Sequence, residues 1–167
     1  FKIKEKGVNE IILLTGDKKE IADIVGEFLN VDKTVAECLP QDKLNFVNSK
    51  KLEGRKVMFV GDGINDALAL KAGDVGVAVA RGGSDIAVQN SDITLNSENL
   101  ESIVKMFELS EITKSIITQN IFIGAGFSFI LMALASMGIV SPVMGAVAHY
   151  LGPVFVVLNS ARLLKMK

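Results

Sequence analysis

The stretch of sequence that decides the fold runs from Val57 to Ala67 and reads VMFVGDGINDA. Its first four residues are all apolar, which is typical of a strand buried on both faces in a parallel sheet. The Gly-Asp-Gly that follows predicts a tight turn where the strand ends, because glycine adopts backbone conformations that other residues avoid. We predict a helix near residues 65–72 after this turn. A buried strand, a polar turn and a helix in this order indicate an α/β architecture.

The sequence on both sides of this stretch alternates in the same way. We predict further strands at 11–15, 75–79 and 92–95 and helices at 18–29 and 41–52. Asp17 with Glu20 three residues later matches a capping box, and Pro40 suits the start of the second helix. Strands that alternate with helices predict a Rossmann-like parallel sheet with flanking helices. This part of the chain is predicted to cover residues 1–96, with a connecting helix at 97–118.

The remaining sequence has the composition of a membrane segment. From residue 115 to residue 161 it contains no Asp, Glu, Lys or Arg. One membrane-spanning helix needs roughly 20 apolar residues, so this run holds two, and Pro142 divides it. We therefore predict two transmembrane helices within residues 119–164. Basic residues flank the run at both ends, which places both ends in the cytoplasm together with residues 1–114. The alternative is a helical pair buried in a soluble core.

Composition and charge exclude several classes of protein. The 18 basic and 19 acidic side chains nearly balance, whereas a nucleic-acid-binding domain shows a basic excess, so we expect no nucleic-acid partner. A hydrophobic content of 49% excludes a disordered chain. Cys38 is the single cysteine, which excludes a disulfide scaffold.

Polar residues with chemical potential follow two of the predicted strands. Thr15-Gly16-Asp17 places a hydroxyl and a glycine at a strand end, an arrangement that can bind a phosphate oxygen. The carboxylates of Asp62 and Asp66 follow the 57–60 strand and suit Mg²⁺, which needs few protein ligands when phosphate supplies others. Lys43, at the start of a helix, could neutralise phosphate charge. Taken alone, these features read as a helix cap, a turn and a surface lysine. Their shared position after parallel strands favours a phosphate and Mg²⁺ site.

The order of these motifs resembles the haloacid dehalogenase superfamily. Within it, they closely resemble the phosphorylation domain of P-type cation-transporting ATPases: Thr15-Gly16-Asp17, Pro40-x-x-Lys43, Gly61–Ala67 and Asp74–Ala78. The resemblance implies that Thr15, Gly16 and Asp17 are catalytic residues, that Thr15 hydrogen-bonds the phosphoryl group and that Lys43 offsets its charge. It further implies that Asp62 holds Mg²⁺, with Asp66 as a second cofactor-binding residue, and that Asn65 and Asp66 order the phosphate site. One departure is Leu68, where the family usually has proline.

The phosphorylated aspartate of that family lies in an Asp-Lys-Thr-Gly-Thr motif, which this sequence does not contain. Asp32-Lys33-Thr34 is similar, but it continues as Val35-Ala36 and follows Thr15, so we expect no nucleophile there. The resemblance thus implies the C-terminal part of an ATP-hydrolysing ion pump, inactive alone. Its partners would be the actuator and nucleotide-binding domains, which bind most of the ATP, and further membrane helices. Two alternatives are a membrane-anchored phosphatase of the same superfamily and a non-catalytic membrane module that binds Mg²⁺ and phosphate.

The membrane helices resemble those of the heavy-metal class IB branch, through Gln119-Asn120 and Asn159-Ser160-x-Arg162. By this resemblance His149, ten residues before Asn159, and Ser128, eight after Asn120, occupy positions of ligands for the transported ion. Imidazole suits divalent transition metals, so we expect such a cargo. Copper is disfavoured because no Met-x-x-Ser-Ser is present. A helix–helix hydrogen bond is the alternative role for His149. The resemblance implies an integral protein of a prokaryotic plasma membrane.

Overall fold

A computed structural model describes residues 3–62, 65–79, 85–96 and 101–165 of the chain. Gly63 and Ile64 of the Gly61–Ala67 motif lie outside the described residues, as do residues 97–100 of the predicted connecting helix. The chain divides into two compact units, Phe1–Lys105 and Met106–Lys167.

The first unit alternates strands and helices as predicted. The order is β1 (Ile12–Leu14), α1 (Lys19–Leu29), β2 (Lys33–Val35), α2 (Pro40–Leu52), β3 (Met58–Gly61), α3 (Ala67–Ala72), β4 (Val75–Val79), α4 (Asp85–Asn90) and β5 (Ile93–Leu95). All strand pairs are parallel: β1 pairs with β2, and β4 lies between β3 and β5. The predicted parallel α/β fold with flanking helices is therefore confirmed. Strand β2 was not predicted, because it is short and begins with a lysine.

An aspartate joins each parallel strand pair at its amino end. It directly precedes the second strand of the pair and donates its backbone N–H to the carbonyl of a residue at, or just before, the start of the neighbouring strand. Its carboxylate accepts that same residue's N–H. The pairs are Asp32 with Ile11, Asp74 with Val57 and Asp92 with Gly76, all at 2.8–2.9 Å. The same pair of hydrogen bonds, repeated three times, thus fixes the amino ends of the strands in both sheets. The carboxyl ends of the strands remain available for a site.

The apolar core of the first unit lies between the β3–β4 strands and helices α2 and α3. It consists of Val47, Phe59, Ala69, Leu70 and Ala78, with Leu14, Val57 and Ala72 packed against it. The centre of β4 is fully buried, whereas every residue of β1 and three of the four residues of β3 are only half-buried. The expectation that β3 is buried on both faces is thus wrong here, and β1 is no more deeply buried than β3. Within the described part of the chain each is an edge strand, with a neighbour on one side only.

The second unit contains helices that are long and apolar enough to cross a membrane. Helix α5 (Glu101–Ser136) is followed by α6 (Pro142–His149), α7 (Leu151–Ser160) and a short 3-10 turn (Ala161–Lys165). The two candidate spans among the described residues are Glu101–Ser136 and Val143–Leu164. Only 6% of each apolar window is buried, which argues against the alternative of a helical pair hidden in a soluble core.

The second span is interrupted at Tyr150. Helix α6 ends at His149 and α7 begins at Leu151. Pro153 lacks a backbone N–H, so the carbonyl of His149, four residues earlier, has no partner at that position. The break therefore falls beside the one imidazole of the chain.

Candidate functional site

The Thr15 hydroxyl is held by Asp17. Thr15 directly follows β1, and its Oγ1 donates a hydrogen bond to Asp17 Oδ2 at 2.7 Å while accepting one from the Asp17 N–H at 3.2 Å. Helix α1 begins instead after Lys18, with no side-chain cap. The predicted capping box of Asp17 and Glu20 is therefore wrong. The Asp17 carboxylate instead orients the Thr15 hydroxyl, because that hydroxyl lies within hydrogen-bonding reach on the same turn.

Backbone hydrogen bonds join this turn to the loop after β2. Thr15 N–H donates to Val35 O, Cys38 N–H donates to Thr15 O, and Glu37 N–H donates to Asp17 O, at 2.9–3.0 Å. Glu37 adopts a left-handed conformation with φ 55°, which is uncommon for a residue with a side chain. This attachment sets where α2 starts, and so where Lys43 is placed.

Lys43 forms an ion pair with Asp66, 23 residues later in the sequence. Lys43 Nζ lies 2.7 Å from Asp66 Oδ1, and the two side chains are only 14% and 13% exposed. Gly61 makes room for this carboxylate: a Cβ at that position would lie 2.7 Å from Asp66 Oδ2 and 2.9 Å from Asp66 Cβ. The second and third sequence motifs therefore meet at the carboxyl end of β3.

The polar residues around Thr15 and those around Asp62 each lie at the carboxyl end of a strand. Thr15 follows β1 and Asp62 follows β3, and Leu14 packs on the core cluster that includes Phe59 of β3. Asp32 lies at the opposite, amino end of β2, where its carboxylate accepts from Lys4 Nζ and the Ile11 N–H. The hydrogen bond from Lys4 is the largest cause that lowers the Asp32 pKa.

The residues around the start of α3 offer a carboxylate of the kind that Mg²⁺ takes as a ligand. Asp62 and Asn65 are exposed beside the start of α3. The described residues contain no group of three or more His, Cys, Asp or Glu that could hold a metal ion. Mg²⁺ usually keeps several waters and takes one or two carboxylates plus phosphate oxygens, so Asp62 fits as a carboxylate ligand. Asp66 lies in the ion pair with Lys43 instead, and its predicted role as a cofactor ligand stays a prediction.

The two residues predicted to bind the transported ion are both exposed. His149 is the last residue of α6, and Ser128 in α5 donates its hydroxyl to Gly124 O at 3.0 Å. The helices contact each other beside them: Gly152 is buried, and a Cβ there would lie 3.0 Å from Phe127 Cδ1.

Hydrogen bonds join the two helices through residues that the sequence analysis named only as motifs of a family resemblance. Asn120 donates to Ser160 Oγ at 2.8 Å, and Asn159 donates to Asn120 Oδ1 at 2.9 Å. Polar side chains near the ends of two apolar helices were the available signal. Only the structure shows that they meet.

Comparison with known proteins agrees with these observations. Residues 1–74 match the family model of haloacid dehalogenase-like hydrolases. The chain is 37% identical over 166 residues to a zinc-exporting P-type ATPase of Mycobacterium marinum, covering 99% of this chain and 23% of that protein. It is 36% identical over 166 residues to a copper-exporting P-type ATPase of Bacillus subtilis, covering 99% of this chain and 20% of that protein.

A solved structure gives the same result for the fold. The crystal structure of a zinc-transporting PIB-type ATPase in the E2.Pi state matches with a TM-score of 0.82 and 34% identity, covering 92% of this chain and 25% of that one. The predicted resemblance to heavy-metal P-type ATPases is therefore confirmed. The chain spans only about a quarter of the length of the relatives it matches.

Proposed function

We propose that this chain is the C-terminal part of an ATP-driven transition-metal pump of the heavy-metal P-type ATPase kind. It supplies the Mg²⁺ and phosphate side of an aspartyl-phosphate site and two membrane helices. The observation that carries the proposal is the ion pair between Lys43 and Asp66, made possible by Gly61 at the end of β3. Two separate motifs thus meet at the carboxyl end of β3, and ligands of parallel sheets bind at such strand ends.

The chemistry proposed for this edge is positioning and charge neutralisation. Thr15 carries a single O–H, which points at Asp17, so binding a phosphoryl oxygen requires that proton to turn toward the new acceptor. Lys43 offsets phosphoryl charge, and its pairing with Asp66 holds the ammonium in place beforehand. A magnesium ion on Asp62 would neutralise phosphoryl oxygens further. Phosphoryl transfer depends mainly on such electrostatic positioning.

The strand arrangement supports an aspartate supplied by another part of the protein. Strands β1 and β3 each have one unpaired edge within the described residues, yet Leu14 and Phe59 share one core. We place a preceding strand between them, paired in parallel with both. Its carboxyl end would then carry the phosphorylated aspartate between Thr15 and Asp62.

The membrane unit supports a transported ion beside His149. The contacts of Phe127 with Gly152 and of Asn120 with Ser160 set an antiparallel register in which paired residue numbers sum to about 280. His149 and Ser128 then differ in depth by about 4.5 Å, since each helical residue rises 1.5 Å.

Each of these two residues follows a half-buried residue by one position: Ser128 follows Phe127, and His149 follows Ala148. When two helices run antiparallel, moving one residue toward the C-terminus of either helix rotates the side chain toward the same side of the pair. Ser128 and His149 therefore lie on the same flank of the hairpin. An imidazole is costly in lipid, so this flank is covered by further membrane helices of the same protein. A divalent transition-metal ion is the proposed cargo, and a prokaryotic plasma membrane the proposed location, with residues 1–114 cytoplasmic.

The first test replaces Asp62 in the full-length protein. Asp62→Ala should lower ATP turnover by at least about 100-fold, because a charge-stabilising group near the phosphoryl oxygens is lost. Asp23→Ala, an exposed carboxylate on α1, is the matched control and should retain turnover. Undiminished turnover of Asp62→Ala with a normal melting temperature would refute the proposed site.

The second test addresses the cargo. His149→Ala should abolish metal-stimulated ATP hydrolysis but leave phosphorylation by inorganic phosphate intact, because the phosphate site lies in the other unit. Metal stimulation that survives this substitution would exclude His149 as an ion ligand without affecting the proposal for the phosphate site.

A further inference from the structure

Five polar side chains join the two membrane helices at the end of the hairpin away from its turn. We call this group the polar clamp: Gln119, Asn120, Asn159, Ser160 and Arg162. Its inner part is half-buried, where Asn120 donates to Ser160 Oγ and accepts from Asn159. In its exposed outer part, Arg162 donates to Gln119 Oε1 at 3.4 Å and to Asn159 Oδ1 at 3.1 Å.

The clamp residues satisfy one another. The Asn120 side chain uses both its amide hydrogen donor and its oxygen within the clamp. Asn159 donates to Asn120 at 2.9 Å and to Gln119 at 3.3 Å, and its oxygen accepts from Arg162. The described residues contain no buried side-chain nitrogen or oxygen without a partner. A shift of either helix would therefore break several directional bonds at once.

Among the described residues, no hydrogen bond outside the polar clamp joins the two helices. A second contact between them is apolar: Gly152 packs against Phe127, near the half-buried Val156 of the same helix as Gly152. In lipid, such surfaces pack through van der Waals contact, without a hydrophobic driving force that favours one alignment. A slide of one helical turn, about 5.4 Å, would exchange one small or apolar contact for another.

We propose that the polar clamp fixes the register of the two helices, and thereby the depth of His149 relative to Ser128. The clamp residues are positioning residues, and none of them contacts the ion. The first half of this inference rests only on the described contacts. The second half rests on the function proposed above, in which His149 and Ser128 bind the transported ion.

Crosslinking in the full-length protein tests the register. The pair Phe127→Cys and Gly152→Cys reports the observed alignment, because the two residues touch. The pair Leu131→Cys and Gly152→Cys reports a slide of one turn. A short thiol-specific crosslinker is applied in membranes, and mass spectrometry of the linked peptides identifies the residues joined.

Removal of the inner clamp by Asn120→Ala with Ser160→Ala should lower the ratio of the 127–152 product to the 131–152 product by about tenfold, because interhelical hydrogen bonds are lost. The exchange Asn120→Ser with Ser160→Asn restores a donor and an acceptor and should recover the ratio. Thr118→Ala is the matched control, since Thr118 bonds only to Lys114 O of its own helix. An unchanged ratio after removal of the clamp would overturn the proposal.

The ion affinity tests the second half. The clamp-deleted protein should need a several-fold higher zinc concentration for half-maximal ATP hydrolysis, with phosphorylation by inorganic phosphate unchanged, and the exchanged pair should restore the affinity. A shifted crosslink with unchanged zinc affinity would overturn the link to His149. If the unmodified protein shows no metal-stimulated hydrolysis, the proposed function fails, whereas the crosslinking result still decides whether the clamp sets the register.

Discussion

Replacement of Gly61 by alanine provides a sensitive test of the proposed phosphate site at the carboxyl end of β3. The added Cβ would lie 2.7 Å from Asp66 Oδ2, 2.9 Å from Asp66 Cβ and 3.1 Å from Phe59 Cε1. To reach an ordinary contact of 3.4 Å the carboxylate oxygen must retreat by about 0.7 Å, which disturbs the 2.7 Å ion pair with Lys43. Overpacking of this kind costs about 1–3 kcal/mol. The loss is measured as thermal unfolding of the full-length protein, alongside phosphoenzyme formation from ATP.

A double-mutant cycle tests the cause of that loss. Asp66→Ala removes the carboxylate oxygen that the new methyl group meets at 2.7 Å but keeps the Cβ at 2.9 Å, so Gly61→Ala should cost less in the Asp66→Ala background than alone. Gly124→Ala is the control for the substitution itself, because a Cβ there meets nothing within 4 Å. Equal costs of Gly61→Ala in both backgrounds would refute the reasoning that Gly61 exists to accommodate Asp66.

Three further predictions concern the same unit. Thr15→Val should weaken inhibition of ATP hydrolysis by orthovanadate about tenfold, because the hydroxyl proposed to donate to a phosphoryl oxygen is lost, and unchanged inhibition would contradict this. The pKa values of Asp32 and Asp74 are lowered, mainly by the hydrogen bond from Lys4 in the first case and by the Val57 N–H in the second. The stability that these carboxylates contribute is therefore present above their ordinary pKa of 3.8 and is lost as pH falls through the lower folded-state pKa. Asp74→Asn should make the loss of stability at acid pH less steep when unfolding is monitored by circular dichroism. An unaltered pH profile would contradict the contribution assigned to the Asp74 carboxylate. Glu37→Gly should raise the melting temperature by relieving the left-handed backbone, worth about 1 kcal/mol, and Glu37→Val should lower it; the reverse order would exclude strain at this residue.

Much of the fold could be predicted from local sequence patterns. The apolar runs before Thr15 and Asp62 form β1 and β3, and the charge-free run after residue 114 forms helices long enough to cross a membrane. These signals are strong because hydrophobic periodicity and turn residues act over a few positions. The motif order also predicted the resemblance that the comparisons confirm.

Local patterns failed where a residue's partner is distant or where two local roles compete. Strand β2 exists because Lys33–Val35 pairs with β1, and its own sequence carries little strand signal. Asp17 satisfied the pattern of a helix cap, yet its carboxylate bonds the Thr15 hydroxyl.

The α/β alternation, the order of the site motifs and the two apolar helices follow from local sequence, because each depends on neighbouring residues. The pairing of Lys43 with Asp66 and the contacts of Asn120 with Asn159 and Ser160 across the hairpin are seen only in the folded chain. Those pairings join residues 23 to 40 positions apart. Their geometry follows from how strands and helices pack, and spacing along the chain does not encode it.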